Sequence, residues 1–128
     1  MTEQDHADLS RRLALALGYY PESVRTYMFM FVEVWRVERK YRGFDHAAAP
    51  CRWHAFDYRQ PDVALPVLEW LRKGWNGTVG TDARTGNPYV FLWKLHDDGY
   101  EPLSRYRHEA DTLPEAIARA ACAVKGVA

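Results

Sequence analysis

Apolar and polar positions alternate unevenly along the chain, and the changes of period mark out the elements. Residues Asp8 to Leu17, Asp-Leu-Ser-Arg-Arg-Leu-Ala-Leu-Ala-Leu, have helical spacing, with Asp8 or Ser10 able to cap the start and Gly18 to stop the end. Pro21 breaks the chain before a long run from Val24 to Tyr41. Its first part, Tyr27 to Val32, is apolar on both strand faces, which predicts a central strand covered on both sides. Its second part alternates charges with Val34, Trp35 and Val37, as a half-exposed strand does. A helix from Glu22 to Arg42 also fits the polar spacing. Gly43 to Gln60 has loop composition, with an aromatic-rich segment Trp53 to Tyr58.

A second helix is predicted over Val63–Lys73, with Asp62 as N-cap, Pro66 near the first turn and Gly74 at the end. Three strands follow. The first is Trp75–Thr81, and a turn through Thr85-Gly86-Asn87-Pro88 leads to Tyr89–Leu95. The Asp97-Asp98-Gly99 turn leads to Tyr100–Glu109, on which Leu103, Arg105 and Arg107 share a face. Tyr89–Leu95 is apolar on both faces and should be an interior strand. The last helix, Thr112 to Val124, opens on the capping box Thr112-Leu113-Pro114-Glu115 and continues as an alanine-rich run. The order of elements predicts an α/β (α+β) fold, a three-layer αβα sandwich around a mostly antiparallel sheet, as a single domain over 1–128.

At 128 residues the chain can build a core without disulfide or metal staples. Its 17 basic residues balance 17 acidic ones, so no global basic field gathers nucleic acid or an anionic membrane. The two cysteines, Cys51 and Cys122, make no disulfide framework. The acidic start, Met1 to Asp5, is the opposite of a signal peptide's basic region, and the apolar run Tyr27 to Trp35 is far short of a membrane span. A cytoplasmic location is expected, with no membrane partner and no sequence-specific nucleic acid.

Among the chemistry-bearing residues, no phosphate-binding glycine loop, nucleophile elbow or His-Glu-x-x-His occurs. Asp97 and Asp98 are adjacent carboxylates in a turn, where aspartate is ordinary. His46, Cys51 and His54 are three possible zinc ligands, but their spacing matches no standard finger and no fourth ligand follows, so no cofactor or metal is assigned. The aromatic content says more. Five Trp, eight Tyr and five Phe exceed what a core of this size hides comfortably, and several lie beside arginine. Rings with guanidinium groups suit a pocket for a base and its phosphates, although interleaved strands with solvated arginines give the same pairs. Arg119, set among alanines, is either a directed donor in such a pocket or a solvent-facing arginine on a helix back.

The C-terminal stretch Ala110-Asp-Thr-Leu-Pro-Glu-Ala-Ile-Ala-Arg-Ala-Ala121 resembles the last helix of small bacteriophage and prophage proteins with the phage ABA sandwich domain, usually Thr-x-x-x-Ala-Ile-x-Arg-Ala-Ala. The segment Trp53 to Leu68 is similar to that family's Tyr-Ser-Thr-Asp entry into its middle helix, with Arg59-Gln60-Pro61 in place of Ser-Thr. Leu17-Gly18-Tyr19 is similar to the Gly-aromatic end of its first helix. The resemblance implies helices on both sides of a sheet. It also implies a non-enzymatic accessory protein, since some similar phage proteins sequester nucleotide-derived immune signals in pockets of aromatic faces, amides and arginines, often at an oligomer interface. The expected pocket comprises Trp53, Tyr58, Asn87, Tyr89, Arg105, Arg107 and Arg119. A ring would stack on the base, Asn87 would bond its edge, and arginines would hold its phosphates. The alternative is a protein-binding inhibitor or adaptor, directed for example at a host defence protein, with no small ligand. An enzyme built on His46, Cys51 and His54 ranks behind both. Surplus aromatic surface also predicts a homo-oligomer, with Tyr27–Trp35 or the alanine-rich helix at the interface.

Overall fold

The computed structural model describes residues 1–28, 30–37, 51–95 and 102–126, and the side chains of 36, 37, 51, 95 and 102–105 fall outside that description. The chain forms two compact units, Met1–Asp57 and Tyr58–Ala128. The class is α+β, and the described residues form three α-helices and two three-stranded antiparallel sheets. No helix among the described residues is long and apolar enough to cross a membrane.

The first unit opens with helix α1, Glu3–Ala16, which starts five residues earlier than Asp8. Thr2 and Asp5 form a complete capping box, the Thr2 hydroxyl accepting from the Asp5 N–H at 3.2 Å and the Asp5 carboxylate from the Thr2 N–H at 2.9 Å. Asp8 is therefore free to pair with Arg12 at 3.0 Å and Arg11 at 3.4 Å, while Ser10 lies in the buried face. Gly18 stops the helix with a φ of 100°.

After a 3₁₀ turn at Pro21–Ser23 come β1, Val24–Tyr27, and β2, Phe31–Val37, paired antiparallel with Tyr27 opposite Phe31. The run Tyr27 to Val32 is thus not one covered central strand. A turn folds it back on itself, with Met28 at a φ of 47° and the Met30 N–H donating to the Tyr27 carbonyl at 2.8 Å. Among the described side chains of this strand pair, Val32 and Val34 are the buried ones, on the strand that packs against α1, whereas Met28, at 85% exposure, and Phe31 point to water. A third strand, β3, Cys51–Ala55, completes the sheet in a segment of loop composition. Cys51, Trp53 and Ala55 alternate with Arg52 and His54, the period of a strand. Pairing along β2 fixes it, setting Trp53 against Trp35 with ring centroids 5.3 Å apart.

The second unit contains helix α2, Pro61–Gly74, then β4, Asn76–Thr81, β5, Pro88–Leu95, β6, Pro102–Glu109, and helix α3, Leu113–Lys125. In α2, Gln60 rather than Asp62 takes the N-cap position, because Pro61 fits the first helical turn where its missing N–H costs nothing. β5 is the central strand, as its apolar content predicts. Val90 and Leu92 are fully buried and face the layer of α3, which adds Ala116, Ile117, Ala120 and Ala121, while α2 adds Ala64, Val67, Leu68 and Leu71. Small side chains on α3 let its backbone approach the sheet closely. The start of α3 keeps half of the expected box: Thr112 accepts from the Glu115 N–H at 3.4 Å, but the Glu115 carboxylate accepts from Arg119 at 3.0 Å. The Asp97-Asp98-Gly99 turn lies outside the described residues.

Leu92 is the centre of this core. Leu92→Ala should lower the unfolding free energy by about 2–5 kcal/mol, read by urea titration, because the fixed layer of α3 cannot collapse into the space. A change below about 1 kcal/mol would contradict the packing described.

Candidate functional site

Period-two alternation along β5 sends Val90 and Leu92 to the helices and turns Tyr89, Phe91 and Trp93 to the other face of the sheet. Arg107 lies opposite Phe91 on β6, and Thr78 lies opposite it on β4. Beside them, the β4–β5 hairpin closes with Gly86 at a φ of 74°. These elements surround an open hollow of about 520 Å³ lined by Thr78, Asp82, Arg84, Tyr89, Phe91 and Arg107, together with Thr81 and Ala83.

The hollow has a carboxylate at its base. Asp82 is 9% exposed, and one of its oxygens accepts from the backbone N–H groups of Arg84 at 2.8 Å and Thr85 at 3.3 Å. The other accepts from the Arg107 guanidinium at 2.8 Å. The backbone donors, Arg84 first, hold the Asp82 carboxyl below its ordinary value of 3.8, and Arg107 adds to that effect. Arg107 also donates to Glu109 at 3.1 Å, and Glu109 accepts from the Thr85 hydroxyl. These bonds, Glu109 foremost, push the Arg107 pKa further up. The guanidinium carbon sits 4.6 Å from the Tyr89 ring centroid. Tyr89 in turn lies over Gly80, where an added Cβ would stand only 2.7 Å from the Tyr89 hydroxyl oxygen. A side chain at 80 would require the Tyr89 ring to shift, because the ring occupies that place. Arg84, by contrast, is 91% exposed and only loosely set against Asp82 at 3.8 Å.

The expected pocket residues divide among several places. Tyr89 and Arg107 come together in the hollow. Asn87 closes the hairpin instead: its carbonyl accepts from the Asp82 N–H at 2.9 Å and its N–H donates to the Thr85 hydroxyl at 3.2 Å. Arg105 occupies the register position opposite Trp93, and its side chain lies outside the described residues. Arg119 is on α3, on the helix-covered side of the sheet, paired with the buried carboxylate of Glu115. Tyr58 is almost wholly buried at the start of the second unit, and Trp53 belongs to β3 of the first. Of the possible zinc ligands, His46 and the Cys51 side chain fall outside the described residues. Among the described residues no group of three or more His, Cys, Asp or Glu is placed to hold a metal.

Thr78, Asp82, Arg84 and Phe91 complete the hollow without having been singled out in the sequence. Asp82-Ala83-Arg84-Thr85-Gly86 carries the signal in principle, since aspartate opening a turn bonds to the N–H groups two and three residues on. Comparison with family models, with curated proteins and with solved structures finds no match to this chain.

Two pH effects follow. The depressed Asp82 pKa contributes stability above the unfolded value of 3.8, and that contribution is lost as the pH falls through the folded value. Asp82→Asn should therefore lower the melting temperature at pH 7, with the gap from the wild type narrowing as the pH falls below 3.8. His108, opposite Val90, has its pKa lowered from 6.5 by burial first and by the Arg119 charge second. Its neutral form contributes stability above 6.5 that declines as the pH falls from there toward the folded value. His108→Gln should flatten the melting temperature between about pH 7.5 and 5.5, a range set by the unshifted histidine value. An unchanged slope would contradict a half-buried His108 that stays neutral in the folded state.

Proposed function

We propose that this chain is a non-catalytic binding protein whose second unit takes a planar ring compound with one or two negative groups, of the nucleotide-signal class, in the hollow over β4, β5 and β6. The supporting observation is the conjunction, in one hollow of about 520 Å³, of the Tyr89 and Phe91 rings with the exposed Arg84 guanidinium. That volume is within the usual range for a small-molecule site. The rings supply stacking surface and Arg84 a forked donor for a phosphate. Arg107 plays a different part from a direct phosphate clamp: it is spent on Asp82 and Glu109 and braces the hairpin that carries Arg84. The C-terminal resemblance supports the fuller form of the reading. In that form a phage or prophage accessory protein withholds such a signal from bacterial immunity.

A second reading, the protein-binding inhibitor or adaptor, is favoured by one observation in the first unit. The β1–β2 turn presents Met28, Met30 and Phe31 at 85%, 55% and 52% exposure, an apolar tip of the kind that seats in a partner or in a second copy of the chain.

A calorimetric screen of nucleotide second messengers tests the first reading. Arg84→Ala should weaken the bound ligand about ten- to hundredfold, the loss of one charge-assisted contact. The melting temperature should stay unchanged, because an exposed side chain contributes little to the fold. Absence of binding by the wild type to every nucleotide tried would transfer the assignment to the protein-binding reading. Met28→Ser with Phe31→Ser should then abolish partner capture.

A further inference from the structure

The helix-covered side of the second sheet holds a different constellation. Helix α2 ends in Trp70-Leu71-Arg72-Lys73-Gly74, with Trp75 next, and α3 ends in Val124-Lys125. These two ends meet Lys94 of β5 around a cavity of about 330 Å³. The Lys94 ammonium lies 4.5 Å from the Trp75 ring centroid and the Lys125 ammonium 5.3 Å from that of Trp70, with Lys73 on the same wall. Trp75 is held in place by an edge contact with Tyr106 at 5.3 Å.

Among the described residues no carboxylate lines this cavity, and none of the three lysines has an ion-pair partner. Arg84, Arg107 and Arg119 in the same unit each have one. The helix dipole accounts for a cation in the last turn of α2 and of α3, which covers Lys73 and Lys125. It does not account for Lys94, which a strand delivers to the same place. Three like charges around one cavity repel each other, and a multiply charged anion relieves that repulsion. The two indoles add flat apolar surface beside the charges.

We infer that this cavity is a binding site for a nucleoside polyphosphate, with the phosphate chain bridging Lys73, Lys94 and Lys125 and the base lying along Trp70 and Trp75. The site is independent of the hollow over Tyr89 and Phe91, because Lys94 lies on the side of β5 that carries Leu92. It also asks for a different ligand. The hollow mixes arginines with Asp82 and suits few negative charges, whereas the lysine cavity suits several.

Titration calorimetry on the full chain with ATP, inorganic tripolyphosphate and adenosine tests the inference. ATP should bind more tightly than tripolyphosphate, adenosine should bind far more weakly than either, and the ATP affinity should fall as salt rises. Lys73→Gln combined with Lys125→Gln should weaken ATP at least about tenfold. Both side chains are exposed, so circular dichroism should show the fold intact. Arg84→Ala should leave ATP binding as it was. Unchanged ATP affinity in the double variant, or no ATP binding by the wild type, overturns the site. Equal affinity for tripolyphosphate and ATP removes the indoles from it, and loss of ATP binding in Arg84→Ala moves the nucleotide to the hollow.

Discussion

Burial of Val90 and Leu92 beneath α3 is the constraint from which the second unit follows. Both side chains are fully excluded from water, and a strand has only two faces. Once those positions turn toward the helices, Tyr89, Phe91 and Trp93 must turn away. The register of β6 then sets Arg107 beside Phe91 and His108 beside Val90. A slip of one residue would exchange the two faces, burying arginine and exposing leucine. The polar network around Asp82 therefore depends on an apolar decision made a few ångströms beneath it.

The elements of the second unit were legible in the sequence because their signals are local. Tyr89–Leu95 is apolar on both faces up to Lys94, Gly86 supplies the left-handed turn residue, and Thr112 caps α3. The first unit was harder to read. Thr2-Glu-Gln-Asp5 is a capping box with aspartate in the place of glutamate, and α1 runs from it through a polar first turn. The run from Tyr27 to Val32 carries no glycine, proline or asparagine to announce a turn, and Met28 adopts a positive φ without one. β3, Cys-Arg-Trp-His-Ala, does alternate apolar and polar residues, but the run is only five residues long inside a stretch of loop composition, and its pairing along β2 is what defines it as a strand.

The expected pocket was legible only in part, and for a physical reason. Sequence shows which side chains carry rings and charges but not which charges are already answered. Arg107 and Arg119 read as phosphate donors, yet each is committed to a carboxylate: Asp82 and Glu109 for one, Glu115 for the other. Lysines placed at two helix ends and one strand read as ordinary solvated charges, and only the fold gathers them. Equal numbers of acidic and basic residues therefore conceal a local segregation of charge.

The contact between Gly80 and Tyr89 has a consequence for how this protein can change over generations. The ring fills the volume that a side chain at 80 would need, so the two positions share one space. Alanine or a larger residue at 80 would push the Tyr89 ring from its place or favour a smaller residue at 89, and a tyrosine in its present position favours glycine at 80. A larger residue at 80 alone displaces the ring, while a smaller residue at 89 gives it room. An evolutionary path through this strand pair must cross that coupling, and a ligand preference that rests on the tyrosine would be inherited together with the glycine.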